Sequence, residues 1–286
     1  MLPLFFLQDK SPPALFRFLK SMRGSSPILK TLTIRFSLLL SIISISQTLF
    51  SQEEGKIEAD RPDQTETPFT TKHKYFQVEV GVGLIKQAGL STFVLPTILS
   101  KYGLTKRIEF RLLTEMDVVE TPLLIPTGNK FISGLIPLHV GMKISLWEEK
   151  NGLPKTSLLV ELGIPRAAKK AFRNTYWAPS ILLSFQNTIS KNIDIGYNIG
   201  PTWNGQSKTP FWNYSTSLGY DLSERWSAFT EWFGAIKHGE KAGNLVDAGF
   251  GYFINDNIKI DLSFGAGLSK SAVDWFAGTG IAFRFR

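Results

Sequence analysis

Five ionisable side chains crowd the stretch "IEADRPDQTETPFT", Ile57 to Thr70: Glu58, Asp60, Arg61, Asp63 and Glu66, with Pro62 and Pro68 between and after them. The stretch has no helical period, and Pro68 removes a backbone donor that a strand would need. Its chemistry is ion pairing. Carboxylates at this density call for Lys or Arg partners, and the planar Arg61 fork suits bidentate contact with a carboxylate. The sequence offers such partners one at a time, nearly all flanked by apolar residues: Glu79, Glu109, Arg111, Glu115, His139, Lys143, Asp194, Lys259, Asp261 and Arg284. Residues of both signs, spaced singly along apolar runs, suit electrostatic selection of a solute better than bond making.

Bond-making chemistry has little to build on. The histidines are His73, His139 and His238, and there is no cysteine. A disulfide framework and a thiolate metal site are therefore excluded. His139 reads as a polar lining residue beside Lys143, whereas His73 and His238 fall at a strand start and a loop. No nucleophile elbow, zinc-protease helix, phosphate loop or dinucleotide fingerprint stands in a fitting context. The expectation is a protein that is not an enzyme and takes no cofactor or metal.

The formal charge of +8 over 286 residues is concentrated at the start. Lys10, Arg17, Lys20, Arg23, Lys30 and Arg35 against Asp9 give residues 1–52 a net +5, leaving +3 for the remainder. So small an excess argues against a nucleic-acid partner. Arg23, Lys30 and Arg35 precede the uncharged run "FSLLLSIISISQTLF", Phe36 to Phe50. It is short for a membrane helix and suits a secretory signal peptide cleaved near Ser51, with a membrane anchor as the alternative. Met1 and Met22 both serve as candidate starts. The expected organisation is residues 1–51 as extension and signal peptide, 52–71 as a segment inside a barrel, and 72–286 as the barrel.

The elements that must hold the charges are strands. In "YFQVEVGVGL", Phe76, Val78, Val80, Val82 and Leu84 alternate with Gln77, Glu79, Gly81 and Gly83. The same period of two sets Ile108, Phe110 and Leu112 against Glu109 and Arg111, and Ile258, Ile260, Leu262 and Phe264 against Lys259, Asp261, Ser263 and Gly265. One face is apolar and the other polar along each strand. Tight polar turns recur at "LTKRI", "ISKNI", "LSERW" and "INDNI", and Asn151-Gly152 marks a fifth. Longer connections are expected at Lys86–Leu90, Val119–Lys130, Pro165–Thr175, Asn204–Thr209, Lys237–Gly243 and Ser269–Ala272. Five short turns at one end and six longer loops at the other predict an all-β, up-and-down antiparallel transmembrane β-barrel of about 12 strands, its apolar face meeting outer-membrane lipid. A soluble sandwich would alternate as well, but without this asymmetry of connections. Aromatics including Tyr75, Trp147, Trp177, Trp212, Trp226, Trp232 and Trp275 lie near predicted strand ends, as interfacial belts require. The closing "AFRFR" has the aromatic character read by the barrel-assembly machinery.

"ADRPDQTETPFT", "YFQVEVGVGL" and "LPTILSKYGLTKRIEFRL" together resemble the outer-membrane transporter family named for the meta-pathway of phenol degradation. Members carry a TDRPDQTESP-like segment, a Q-x-E-x-G first strand and an L-P-x-x-L-x-R-Y-G-L hairpin; here Ala59 replaces a small polar residue and Lys101 stands where Arg is common. "GMKISL", Gly141 to Leu146, is similar to the family's G-x-K segment. The similarity is dense over residues 58–146 and afterwards reduces to barrel pattern. It implies a Gram-negative outer-membrane barrel that passes small molecules.

The expected function is a channel for small organic solutes, aromatic or otherwise hydrophobic ones among them, through a narrow lumen of mixed charge. Asp60, Arg61, Asp63 and Glu66 would fold into that lumen as a plug or gate. Asp60, Asp63 and Glu66 are expected to meet Arg111, Lys143 or Arg284, and Arg61 to bridge Glu79 or Glu109. A non-conducting structural or adhesion barrel and an outer-membrane lipid-modifying enzyme are the rival functions.

Overall fold

In a computed structural model, residues 55–121 and 130–286 are described. The proposed signal peptide and its cleavage site near Ser51 lie outside them. The strands are β1 (Phe76–Gln87), β2 (Leu90–Gly103), β3 (Ile108–Glu120), β4 (Phe131–Leu135), β5 (Leu138–Trp147), β6 (Lys155–Ile164), β7 (Ala178–Ser190), β8 (Ile193–Thr202), β9 (Phe211–Asp221), β10 (Trp226–Lys237), β11 (Gly243–Asn255), β12 (Ile258–Gly267) and β13 (Trp275–Phe285). Consecutive strands pair antiparallel except β4 with β5, and β1 pairs with β13 from Phe76↔Phe285 to Lys86↔Trp275, which closes the wall.

The closed barrel has 12 strands round its circumference because β4 and β5 are one strand broken in two. Both pair with β3, β4 along Met116–Glu120 and β5 along Ile108–Leu113. The break falls at Ile136-Pro137, where proline has no N–H to give the ladder. The connection after β6 repairs the gap: Lys169 donates its amide to the Leu135 carbonyl at 2.9 Å.

The alternation read from sequence sorts the faces as expected. Phe110, Ile181, Leu262 and Phe264 are exposed on the outside, whereas Glu79, Glu109, Arg111, Lys143 and Asp261 point inward and are buried. Outward aromatics sit towards both ends of the wall. Phe76, Tyr102 and Phe285 cluster at the short-turn end, with Trp226 against Tyr252; Tyr214 meets Trp232 towards the other. Tyr75 departs from the expected belt. It is buried, with the Arg284 guanidinium carbon 5.8 Å from its ring centre.

The five tight turns stand where expected, and Asn151 and Gly152 both adopt positive φ, 52° and 83°. One connection differs. Lys86–Leu90 is as tight as the turns at the opposite end: strand pairing runs to Gln87↔Leu90, leaving only Ala88 and Gly89, with φ of 48° and 79°. Residues 122–129 of the expected Val119–Lys130 loop lie outside the described residues.

Candidate functional site

The segment that precedes β1 turns into the barrel instead of trailing away from it. It starts at the short-turn rim, where the Ile57 amide donates to the Asp256 carbonyl at 2.8 Å and Ile57, Ala59 and Ala282 pack together. It leaves again at His73, which bridges to Gly103 beside the start of β1. Between these points the chain crosses the lumen.

Asp60 is the centre of its contacts and has no solvent exposure. Its Oδ2 accepts from Lys101 Nζ at 2.8 Å and Arg111 Nη1 at 2.9 Å, and its Oδ1 from Lys143 Nζ at 2.7 Å. The Thr67 amide and hydroxyl also donate to Oδ1. Glu66 lies beside it, accepting from Arg111 Nη2 at 2.8 Å, with its other oxygen ion-paired to Lys143 Nζ at 2.9 Å. Arg111 completes its fork with Glu109 and Glu161 at 3.2 and 3.1 Å. Enclosed charges must pair or stay hydrated, and here each sign faces the other at hydrogen-bond distance.

Arg61 makes the bidentate contact expected of it, but with Asp261, at 2.9 and 3.3 Å, instead of Glu79 or Glu109. The reason is steric. Gly81 on β1 and Gly280 on β13 are directly paired, and Asp261 on β12 pairs with Gly280. The two glycines leave a flat slot in the wall, and a Cβ on Gly81 would stand 2.1 Å from Arg61 Nη1. The guanidinium lies in that slot with its fork on Asp261. Glu79 is ion-paired with Lys101 and accepts from the Asp60 and Arg61 amides at 3.2 and 3.0 Å. Glu109 likewise accepts from the Thr71 amide at 2.6 Å.

The far side of the segment touches β8, β9 and β10. The Gln64 amide donates to Glu231 at 2.7 Å, and the Thr65 hydroxyl to Ser215 at 2.8 Å and to the other Glu231 oxygen. The Glu66 amide donates to Asn198 Oδ1 at 2.7 Å, and Asn198 returns a bond to the Glu66 carbonyl at 3.0 Å. Asp63 accepts from Ser217 at 3.3 Å.

The remaining sequence candidates are dispersed. Lys259 donates to the Arg61 carbonyl at 3.3 Å. Glu115 is buried with Asp117 and accepts from Thr97. His139 is buried against Gly163. Asp194 sits over Gly219 near the short-turn rim. Arg284 is at the same rim, bonded to Asn257 and to the Gly55 carbonyl. Lys101, Asn198 and Glu231 were not among the candidates, although all three bind the segment. Among the described residues no cluster of His, Asp and Glu has the arrangement of a metal site.

A closed antiparallel barrel with an apolar exterior, a charged interior and its own N-terminal segment threaded inside is the architecture of outer-membrane β-barrels. The chain belongs to the family described as "Putative MetA-pathway of phenol degradation", which it matches over residues 59–285. Among solved structures, an outer-membrane channel from Pseudomonas putida F1 shares the fold with a TM-score of 0.57 and 10% identity, over 83% of this chain and 100% of that one. The KdgM porin in complex with disordered oligogalacturonate aligns with a TM-score of 0.51 and 8% identity, over 73% and 99%. The NanC porin gives 0.51 and 9%, over 72% and 98%. No curated protein matches the chain in sequence.

Proposed function

We propose that the protein is an outer-membrane channel for small organic solutes, and that the segment Glu58–Glu66 sets its aperture. The seating of Asp60 on Lys101, Arg111 and Lys143 carries this reading. A segment held by buried charges from three separate strands is built to stay inside, where it narrows any path through the lumen. The apolar exterior, with Leu262 and Phe264 more than half exposed at 59% and 57%, suits lipid. The channel and porin folds it shares agree with passage of solutes. Its partners on this reading are outer-membrane lipid, the passing solute and, during insertion, the barrel-assembly machinery.

Deleting Glu58–Glu66 tests the reading in planar bilayers. The strands begin after the deleted stretch, so the barrel still inserts, and conductance rises. The deletion removes Glu58, Asp60, Asp63 and Glu66 against Arg61, a net −3, and takes Asp60 away from Lys101 and both Asp60 and Glu66 away from Arg111 and Lys143. Ion preference therefore moves towards anions, most visibly at low salt, since screening acts over about 10 Å at 0.1 M. The occupied lumen also suits a second reading, a structural barrel without a conducting path. Absence of conductance in both the intact and the deleted protein would select it.

A further inference from the structure

The inner segment divides the lumen unequally. Its charged contacts reach β2, β3, β5 and β12, where long side chains fill the space. On the β7–β10 side the inward residues are short, among them Gly196, Ser217, Gly219 and Ser227, and a cavity of about 340 Å³ opens there. It lies between the segment's Thr65–Pro68 stretch and the wall, with Lys191 and Asn192 of the β7–β8 turn at its margin. It ends where the tip of the segment, Gln64 to Glu66, leans on Glu231, Ser215 and Asn198.

These tip contacts differ in kind from those on the opposite side. They are hydrogen bonds from backbone amides, one hydroxyl and the Asn198 side-chain amide, and the groups that bond Glu231 and Asn198 carry no positive charge. A hydrogen bond without a cationic partner contributes less net stability than breaking a buried ion pair costs. The tip therefore parts from β8–β10 before Asp60 parts from its three cations.

We propose that solutes pass between the tip and the β8–β10 wall, with this cavity as their vestibule and Glu231 and Asn198 as the latch. This rests on the channel reading above. The vestibule favours neutral and cationic organic solutes over anions: Glu58, Asp63, Asp194 and Asp221 line it against Lys56, Lys191 and Lys259. Lys259 is further occupied by the Arg61 carbonyl.

The natural absence of cysteine makes every introduced thiol unique. Ser217→Cys places one in the vestibule, and Thr97→Cys places one on β2, across the lumen from β9 in the strand order. Channels in bilayers are treated with a trimethylammonium-ethyl or a sulfonatoethyl methanethiosulfonate. Modification at Ser217→Cys is expected to cut conductance roughly twofold or more, and at Thr97→Cys to leave it unchanged. The cationic reagent should react roughly threefold faster or more than the anionic one at low salt, after correction for their rates with a free thiol. Ser227→Cys repeats the measurement if Ser217→Cys fails to assemble. Block at Thr97→Cys alone, or persistent conductance through modified Ser217→Cys and Ser227→Cys, would overturn the route, and faster reaction of the anionic reagent would overturn the charge preference. A wild-type barrel that never conducts would sink the channel reading itself, a separate outcome.

Discussion

At the scale of residues, one carboxylate governs the lumen. Asp60 is the point where Lys101, Arg111 and Lys143 converge, and Lys101 and Arg111 are directly paired across β2 and β3. Two cations opposite each other on one face repel unless anions lie between them; Glu79 and Glu109 on the sheet meet one each, and Asp60 of the inner segment meets both. Asp60→Asn keeps the shape and removes the charge. We expect the segment to loosen by about 3 kcal/mol, or roughly a hundredfold in opening, the low end for a broken buried pair because an open lumen lets water in. Hydrogen exchange would show it as faster exchange at the Arg61, Gln64 and Glu66 amides, with the strand amides unchanged. Equal acceleration across segment and strands would show that Asp60 supports the barrel as a whole. The need for ion pairing was legible in the sequence, as was the inward face of Arg111, Lys143 and Asp261. Pairing was legible in part: Asp60 and Glu66 were expected on Arg111 or Lys143 and meet both, whereas Lys101 stood inside a motif and was read only as a substitution for Arg. Arg61 was matched to the wrong acid because a slot made by two glycines from the first and last strands has no local signature.

At the scale of elements, period-two alternation carried nearly the whole wall, because a lipid-facing row and a lumen-facing row leave no position neutral. Leu262 illustrates it. It lies mid-strand on β12, outward, paired with Phe250 and Thr279. Leu262→Arg should destabilise the inserted barrel by about 2–4 kcal/mol in a lipid unfolding titration. Ser263→Ala, one residue along and inward, should lower that value by only about 1 kcal/mol or less. Similar losses for both would remove the support for the assigned faces. Two features escaped the pattern for local reasons. The Ala88-Gly89 turn lacks the usual Asn-Gly or Asp-Gly signal, since Ala88 takes φ 48° despite its Cβ. The break at Pro137 joins two short pieces into one strand, and alternation alone cannot see that β4 and β5 share a partner.

At the scale of the whole molecule, five tight turns and the mouth of the inner segment share one rim, and the longer connections share the other with the tight Ala88-Gly89 turn. In outer-membrane barrels the short turns face the periplasm. An impermeant amine reagent added to intact cells should label Lys169 and Lys241, both exposed on the longer connections, and should spare Lys106 and Lys191 until the outer membrane is breached. Labelling of Lys106 first would invert the orientation.

The seat of Arg61 has a consequence for assembly. Its three walls come from β1, β13 and β12: Gly81, Gly280 and Asp261. Gly81 and Gly280 become neighbours only when the first strand meets the last, so the seat is absent from every sheet that is still open. Seating is thus a late event, one that follows closure and records it. Once seated, the guanidinium lies across the junction of β1 and β13 with its fork fixed to β12, and acts as a clasp over the one seam that no turn connects.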